Sequence, residues 1–466
     1  MPLRSVFDVR ANERRTVALL FLNFFLIIVT YYIAKPVRSA MVVTELGSEV
    51  LPYIWVAAAI FLMIFVSIYS ALVDRIPRDK LITLTTGFFI AWVLAIRMFV
   101  SYEATWLPPG IAHWVAHWMP AFFYLWSDVF SVVMVEQFWS FCNDIFETEQ
   151  AKRLYGIVGA GGILGGLFGS ALTTKLVPVL GTANLLFVSA GILTSVIFIT
   201  FAISKFAHFK ALPKKDKPKK AEIGFLKGFI EVGANPYIRY ILILVLVTQA
   251  MSNLIDFQFN VLLEENYSTM DAKTTFVGQL YFWTNLISFL LMSFVTAPSQ
   301  RLFGVMGSLM ILPIVDLFGM ITHLLVPTAG MAVPRMKWLG FQPMRVSMID
   351  SIKTFDKGLN YSIARASKEL LYIPTTTEVK YKAKAVIDMF AFRFSKIISS
   401  TLILPFTTAL PLFLAENFHL KLAWLPFPIY YLNTLGITLA FIVLAVTWRL
   451  GRLYRTLAIL APEKLS

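Results

Sequence analysis

Long apolar runs broken by short charged turns constrain this chain more than any other feature. "YIWVAAAIFLMIFVSIYSALV" at 53–73 carries no charge, and "DRIPRDK" follows at once at 74–80. A helix needs about 20 apolar residues to cross a bilayer. Inside hydrocarbon the backbone must satisfy its own hydrogen bonds, so runs of this length have to be membrane helices. They fall at roughly 16–34, 51–73, 81–100, 118–143, 154–178, 183–204, 237–262, 274–296, 302–326, 343–372, 383–414 and 423–448. About twelve spans are therefore predicted, in an all-α polytopic membrane protein. The 58% hydrophobic and 15% charged composition agrees, since a soluble chain of 466 residues would carry far more charge.

The charge that remains is placed unevenly. Arg4, Arg10, Arg14 and Arg15 precede span 1, and "DRIPRDK" follows span 2. Lys152, Arg153, Arg301, Lys380, Lys382, Lys384, Arg449, Arg452 and Arg455 continue the series on alternate loops. Loop 101–120 on the other side has no Lys or Arg, and only Arg335, Lys337 and Arg345 break the pattern. Both termini are thus expected in the cytoplasm, and the net charge of +14 needs no nucleic-acid partner. Asp8 and Glu13 make the leader too acidic for a signal or transit peptide. The single cysteine, Cys142, excludes a disulfide framework.

Residues 205–228 hold eight lysines and read as a cytoplasmic linker in contact with anionic lipid heads. They separate a first half, 1–204, from a second, 229–466. "FETEQAKRLY" after span 4 and "TTTEVKYKAK" after span 10 lie 229 residues apart and are weakly alike. "DRIPRDK" resembles the short loop signature of the major facilitator superfamily. A two-half, 6+6 bundle around a midplane site is the usual plan of such carriers.

Ionisable residues inside spans are costly unless they face water or a partner. Here they gather in spans 1, 4, 7, 10 and 11: Lys35; Asp128 and Glu136; Asp256; Asp350, Lys353, Asp356, Lys357, Arg365 and Lys368; Asp388, Arg393 and Lys396. Span 3 adds Arg97 and span 9 adds Asp316. At about 100° per residue, Asp350, Lys353, Lys357, Tyr361 and Lys368 share one face of span 10, with Arg365 at its margin. That stripe suits a water-filled cationic cavity, or a helix lying on the membrane surface. A cavity so lined wants a multiply anionic substrate, because Lys and Arg hold phosphate through charge-assisted hydrogen bonds. Asp128 and Asp256 would repel phosphate. They either pair with the cations and release them as substrate arrives, or act as static ties between helices.

At these residues the chain resembles the nucleotide (ATP/ADP) translocases of plastids and intracellular bacterial parasites. The likeness runs from about residue 20 to 400. It is carried by "AKPVRSAMVVTE", "FYLWSDVFSVVMVEQFW", "NLIDFQF" and "KELLYIPTTTEVKYKAKAVIDMFAFRFSK". The resemblance implies functional roles for Lys35, Asp128 and Asp256, with Lys368 or Lys396 as a late lysine. Arg38, Lys353, Lys357, Arg365 and Arg393 complete the expected substrate-binding set. Departures are Asp at 128 and 256 where the family usually has Glu, Pro36 after the first lysine, and Ile397-Ile398 in place of a glycine pair. The resemblance further implies ATP, ADP or a related nucleotide as transported substrate, no cofactor, a monomer, and a bacterial inner membrane. Lys35, Lys368 and Lys396 are expected to face the cavity, whereas Lys380, Lys382 and Lys384 serve topology. The alternatives left open are another organic phosphate or phospholipid-like anion on the same fold, and a non-transporting lipid-binding protein.

Two further motifs are set aside. "GIVGAGGILGGLFG" at 156–169 lacks the Lys-Ser/Thr ending of a phosphate loop, and its small residues at four-residue spacing suit close helix packing instead. The five histidines show no metal-ligand spacing, and His113 and His117 beside Trp114 and Trp118 suit an interfacial belt. No nucleophile–base motif appears, so an enzyme is not expected.

Overall fold

The computed structural model describes residues 9–73, 76, 78–101, 108–206, 232–326, 330–333, 344–375, 384, 387–405 and 427–460. Most of the linker, together with Arg335, Lys337, Lys380 and Lys382, lies outside them. The elements in order are α1 (Arg14–Glu45), α2 (Leu51–Val73), α3 (Arg78–Ser101), α4 (Pro109–Ile145), α5 (Thr148–Leu180) and α6 (Leu185–Phe206). Then come α7 (Pro236–Asn266), α8 (Met270–Leu290) and α9 (Thr296–Leu325). β1 (Gly330–Val333) and β2 (Met344–Ser347) make a short antiparallel pair. The chain ends in α10 (Met348–Leu359), α11 (Arg365–Leu370), α12 (Phe392–Leu404) and α13 (Phe427–Leu460).

Local chemistry sets several of the boundaries. Glu147 and Gln150 form a capping box at the start of α5. Asn235 caps α7 by accepting from the Tyr237 amide at 3.0 Å, with Pro236 in the first turn. Ser347 and Asp350 cap each other reciprocally at α10. Among the described residues nine stretches are long and apolar enough to cross a membrane, and one of them is the 56-residue Met270–Leu325. At 1.5 Å per residue that stretch would measure about 80 Å, so it has to make two crossings. Gly304 turns it, at φ 69° and ψ −179°, a conformation open to glycine. With α10–α11 and the helix through Leu404, the all-helical, major-facilitator-like fold class expected from the sequence is borne out.

α1 is the central element, packed on α4, α5, α6 and α8. The glycines of α5 explain how closely it is approached. A Cβ at Gly161 would stand 2.6 Å from the Phe21 carbonyl oxygen, one at Gly165 2.6 Å from that of Phe25, and one at Gly169 2.8 Å from that of Val29. The four-residue spacing recurs on both helices, so the small-residue stretch is a packing seam. α7 packs on α10, α12 and α13, while α5–α8 and α2–α12 join the early helices to the late ones. Large side chains such as Phe198, Phe294 and Phe318 point outward, as a lipid-facing surface requires.

Candidate functional site

Three helices bring five cations to the middle of the bundle: Lys35 and Arg38 from α1, Lys353 and Lys357 from α10, and Lys396 from α12. Asp128 of α4 accepts from Arg38 of α1 and from Lys396 of α12, so a single carboxylate ties three helices. Arg38 also donates to Ser127 at 3.2 Å, and its guanidinium lies 4.4 Å from the centre of the Tyr124 ring. Asp256 of α7 sits 3.2 Å from Lys353 and 2.9 Å from Lys357, both on α10. Lys357 also donates to Ser252 at 2.6 Å, and Ser252 in turn donates to Asp356. Each acid therefore holds two cations, and the two cation sets are built on different helices.

Lys35 is different. It is buried, and its ammonium lies 4.2 Å from the centre of the Tyr281 ring, with Tyr31 and Tyr32 at 5.6 and 5.5 Å. Three electron-rich ring faces replace a carboxylate as its partner. Lys353 shares the motif, 3.4 Å from the Phe259 ring centre and 5.7 Å from that of Tyr281. Tyr281 thus links the two lysines. Although these groups are enclosed by helices, Asp256 and Lys396 each keep 25% of their side-chain surface accessible.

The predicted set is brought together in part. Lys35, Arg38, Asp128, Asp256, Lys353, Lys357 and Lys396 converge. Lys368 does not: it pairs with Asp388 at 2.8 Å and lies 5.6 Å from the Phe392 ring centre. Arg365 is exposed, and Arg393 is half-buried. The cause is a π-helical turn, Asn360–Ala364, between α10 and α11. It inserts one extra residue, so side chains beyond it swing by about 100° from the face that regular periodicity predicts. The expected continuous stripe from Lys353 to Lys368 is corrected to a stripe that stops at Tyr361. Asp350, also assigned to it, is occupied in capping α10. Lys384 pairs with Glu369 outside the central cluster. The aromatic partners Tyr31, Tyr32, Tyr124, Phe259 and Tyr281 carry no signal in a sequence with 15% aromatics.

A family model described as TLC ATP/ADP transporter matches residues 2–410. The chain is 26% identical over 438 residues to ADP,ATP carrier protein 1 of Chlamydia pneumoniae, covering 84% of this chain and 85% of that one. It is 25% identical over 455 residues to ADP,ATP carrier protein 1 of Rickettsia conorii, covering 86% and 89%. It is 24% identical over 425 residues to the chloroplastic ADP,ATP carrier protein 2 of Arabidopsis thaliana, covering 83% and 68%. Among solved structures it is similar to a bacterial homologue of the iron transporter ferroportin in the inward-facing state. That likeness has TM-score 0.64 at 11% identity, over 94% of this chain and 98% of that one. The nucleoside transporter NupG gives TM-score 0.59 at 11% identity, over 96% and 99%. These structural likenesses establish the fold.

Proposed function

The chain belongs to the TLC ATP/ADP transporter family, and on that premise we propose that it is a membrane carrier, not an enzyme, exchanging ATP for ADP by alternating access through the central cationic cavity. The observation that carries this reading is the pair of carboxylates that each hold two cations, Asp128 with Arg38 and Lys396, and Asp256 with Lys353 and Lys357. A buried cation without an anion is costly, and a paired one is tolerated. An entering polyphosphate takes the place of the carboxylates at these cations, Arg38 as a fork and the lysines as point charges. Lys35, held only by tyrosine faces, is the cation most free to meet phosphate.

Exchange follows from the charge balance. The five cations face three acids, Asp128, Asp256 and Asp356, so the empty cavity retains excess positive charge. Reorienting it through a low-dielectric bundle is harder than reorienting it with polyphosphate bound. The loaded carrier therefore turns over and the empty one stalls. We further infer that 1–204 and 229–466 are the two moving halves, joined by the basic linker 205–228. The protein works as a lipid-embedded monomer in a bacterial inner membrane with both termini in the cytoplasm, an arrangement supported by the loop lysines and arginines.

Thermal unfolding of the purified protein tests the substrate class. ATP and ADP should raise the melting temperature in proportion to the logarithm of their concentration, and inorganic phosphate and sugar phosphates should do so far less. A shift with sugar phosphates and none with nucleotides would overturn the reading.

A further inference from the structure

Asp316, on α9, is fully buried, and neither of its carboxylate oxygens has a hydrogen-bond partner. Asp356, on α10, is equally buried and leaves one oxygen, Oδ1, without a partner, while the other accepts from Ser252. The two residues lie at one level. α9 and α10 run antiparallel, since Gln300 bonds Ser367 and Gly319 abuts Ile352. One turn back from Gly319 is Asp316, and one turn on from Ile352 is Asp356.

The other helices around Asp316 offer it no charge. α13 meets α9 with Asn433 on His323, Gly436 on Met320 and Gly451 on Met306, which sets Ala440 near the level of Asp316. Thr434–Thr447 contains no ionisable side chain, and neither does Leu291–Val295. In the π-helical turn Tyr361 is exposed, and on α11 Arg365 is exposed while Lys368 and Glu369 pair with Asp388 and Lys384. His323, two turns along α9, is engaged with Asn433. Lys353 and Lys357 both lie on Asp256, and Lys357 alone also reaches Asp356, at 3.6 Å, so among the described residues Asp316 has no cation within ion-pair distance. An ionised Asp316 would be an unpaired charge in a place where that is prohibitively costly.

We propose that Asp316 and Asp356 form a proton site, one proton shared between the two carboxyl groups, whose loading is coupled to the nucleotide through Lys357; this rests on the carrier reading above. A proton fits better than a metal ion, because only three oxygens are free and no group of three ligating side chains is assembled among the described residues. Lys357 lies between Asp256 at 2.9 Å and Asp356 at 3.6 Å. With the proton bound, the acid pair holds one negative charge and Lys357 can turn to phosphate. With the proton lost, two adjacent carboxylates draw Lys357 back. Proton and nucleotide therefore favour each other's binding, and by linkage the effect is reciprocal. ATP carries about one more negative charge than ADP at neutral pH. A proton travelling with ATP makes ATP-for-ADP exchange electroneutral.

The test is uptake of ATP into ADP-loaded liposomes with and without an acid-outside gradient of one pH unit. Wild type should accelerate about three- to tenfold with the gradient. Asp316→Asn, uncharged at every pH, should take up ATP equally with and without it. Its ATP-for-ATP exchange should stay within about twofold of wild type, because the amide mimics the protonated acid. Asp316→Glu should restore the gradient response, and an unchanged thermal shift with ATP should show that both variants fold. A gradient response that survives in Asp316→Asn, a wild type that exchanges but ignores the gradient, or uptake that requires sodium would each overturn the proposal. Absence of any nucleotide exchange in wild type would overturn the carrier reading and this proposal with it.

Discussion

Lys35 and Asp128 show how single residues divide the work of the cavity. Lys35 has aromatic faces where the other central cations have carboxylates. Under the proposed function its loss removes a phosphate contact without leaving an acid unpaired. Lys35→Ala should raise the half-saturating ATP concentration roughly tenfold to hundredfold, the worth of one charge-assisted hydrogen bond of about 1.5–3 kcal/mol, with little change in melting temperature. Asp128→Asn should behave differently, since Arg38 and Lys396 both lose their anion. Exchange should slow at least tenfold at saturating ATP while the half-saturating concentration stays level or falls. Exchange at the normal rate in Asp128→Asn would make that residue a passive tie. The charged members of the site were legible because an ion inside an apolar run has few innocent explanations. Their aromatic partners were not, because tyrosine and phenylalanine are common throughout these spans and only the fold shows which ring a lysine meets.

At the scale of elements, two features matter: the seam between α1 and α5, and the turn of α10 into α11. The α5 glycines bring α1 close enough for its backbone carbonyls to touch α5, and α1 carries both Lys35 and Arg38. Gly165→Val would force branched carbons against the Phe25 carbonyl, now 2.6 Å from the position of a Cβ. It should lower stability by about 1–3 kcal/mol and impair exchange through misplacement of α1, whereas Gly191→Ala, in open space on α6, should do neither. That seam was readable as four-residue spacing. The turn of α10 into α11 was not, because hydrophobic periodicity assumes one regular helix, and a single π turn moved Lys368 away from the cluster and onto Asp388. Lys368→Ala should therefore change the half-saturating ATP concentration by less than about threefold, whereas Lys396→Ala should match Lys35→Ala. Equal losses from both lysines, measured by counterflow at matched protein amounts, would restore the uninterrupted stripe.

Across the whole molecule the ends of the bundle differ. At one end the α1–α2 and α5–α6 turns are clasped to the α7–α8 turn. Glu264 accepts from the Ser48 amide at 2.8 Å, Asp271 accepts from the Thr182 amide at 2.7 Å, and Thr182 donates to Thr274 at 2.9 Å. At the other end, among the described residues, Glu13 pairs with Arg153 within the early helices, and Lys368 with Asp388 within the late ones. Hydrogen bonds between early and late helices thus close one end, and opening it requires Glu264 and Asp271 to let go. In a Ser48→Cys background, where the native Cys142 is buried, thiol labelling should be slow and Glu264→Gln should quicken it several-fold. Equal labelling rates would mean the clasp does not hold this state. The central claim, exchange driven by charge neutralisation in the cavity, is tested most directly by uptake of labelled ATP into liposomes that contain ADP or contain no nucleotide. Uptake should be at least tenfold faster into the ADP-loaded liposomes, because the emptied cavity cannot return without an anion. Equal uptake into both would contradict the account.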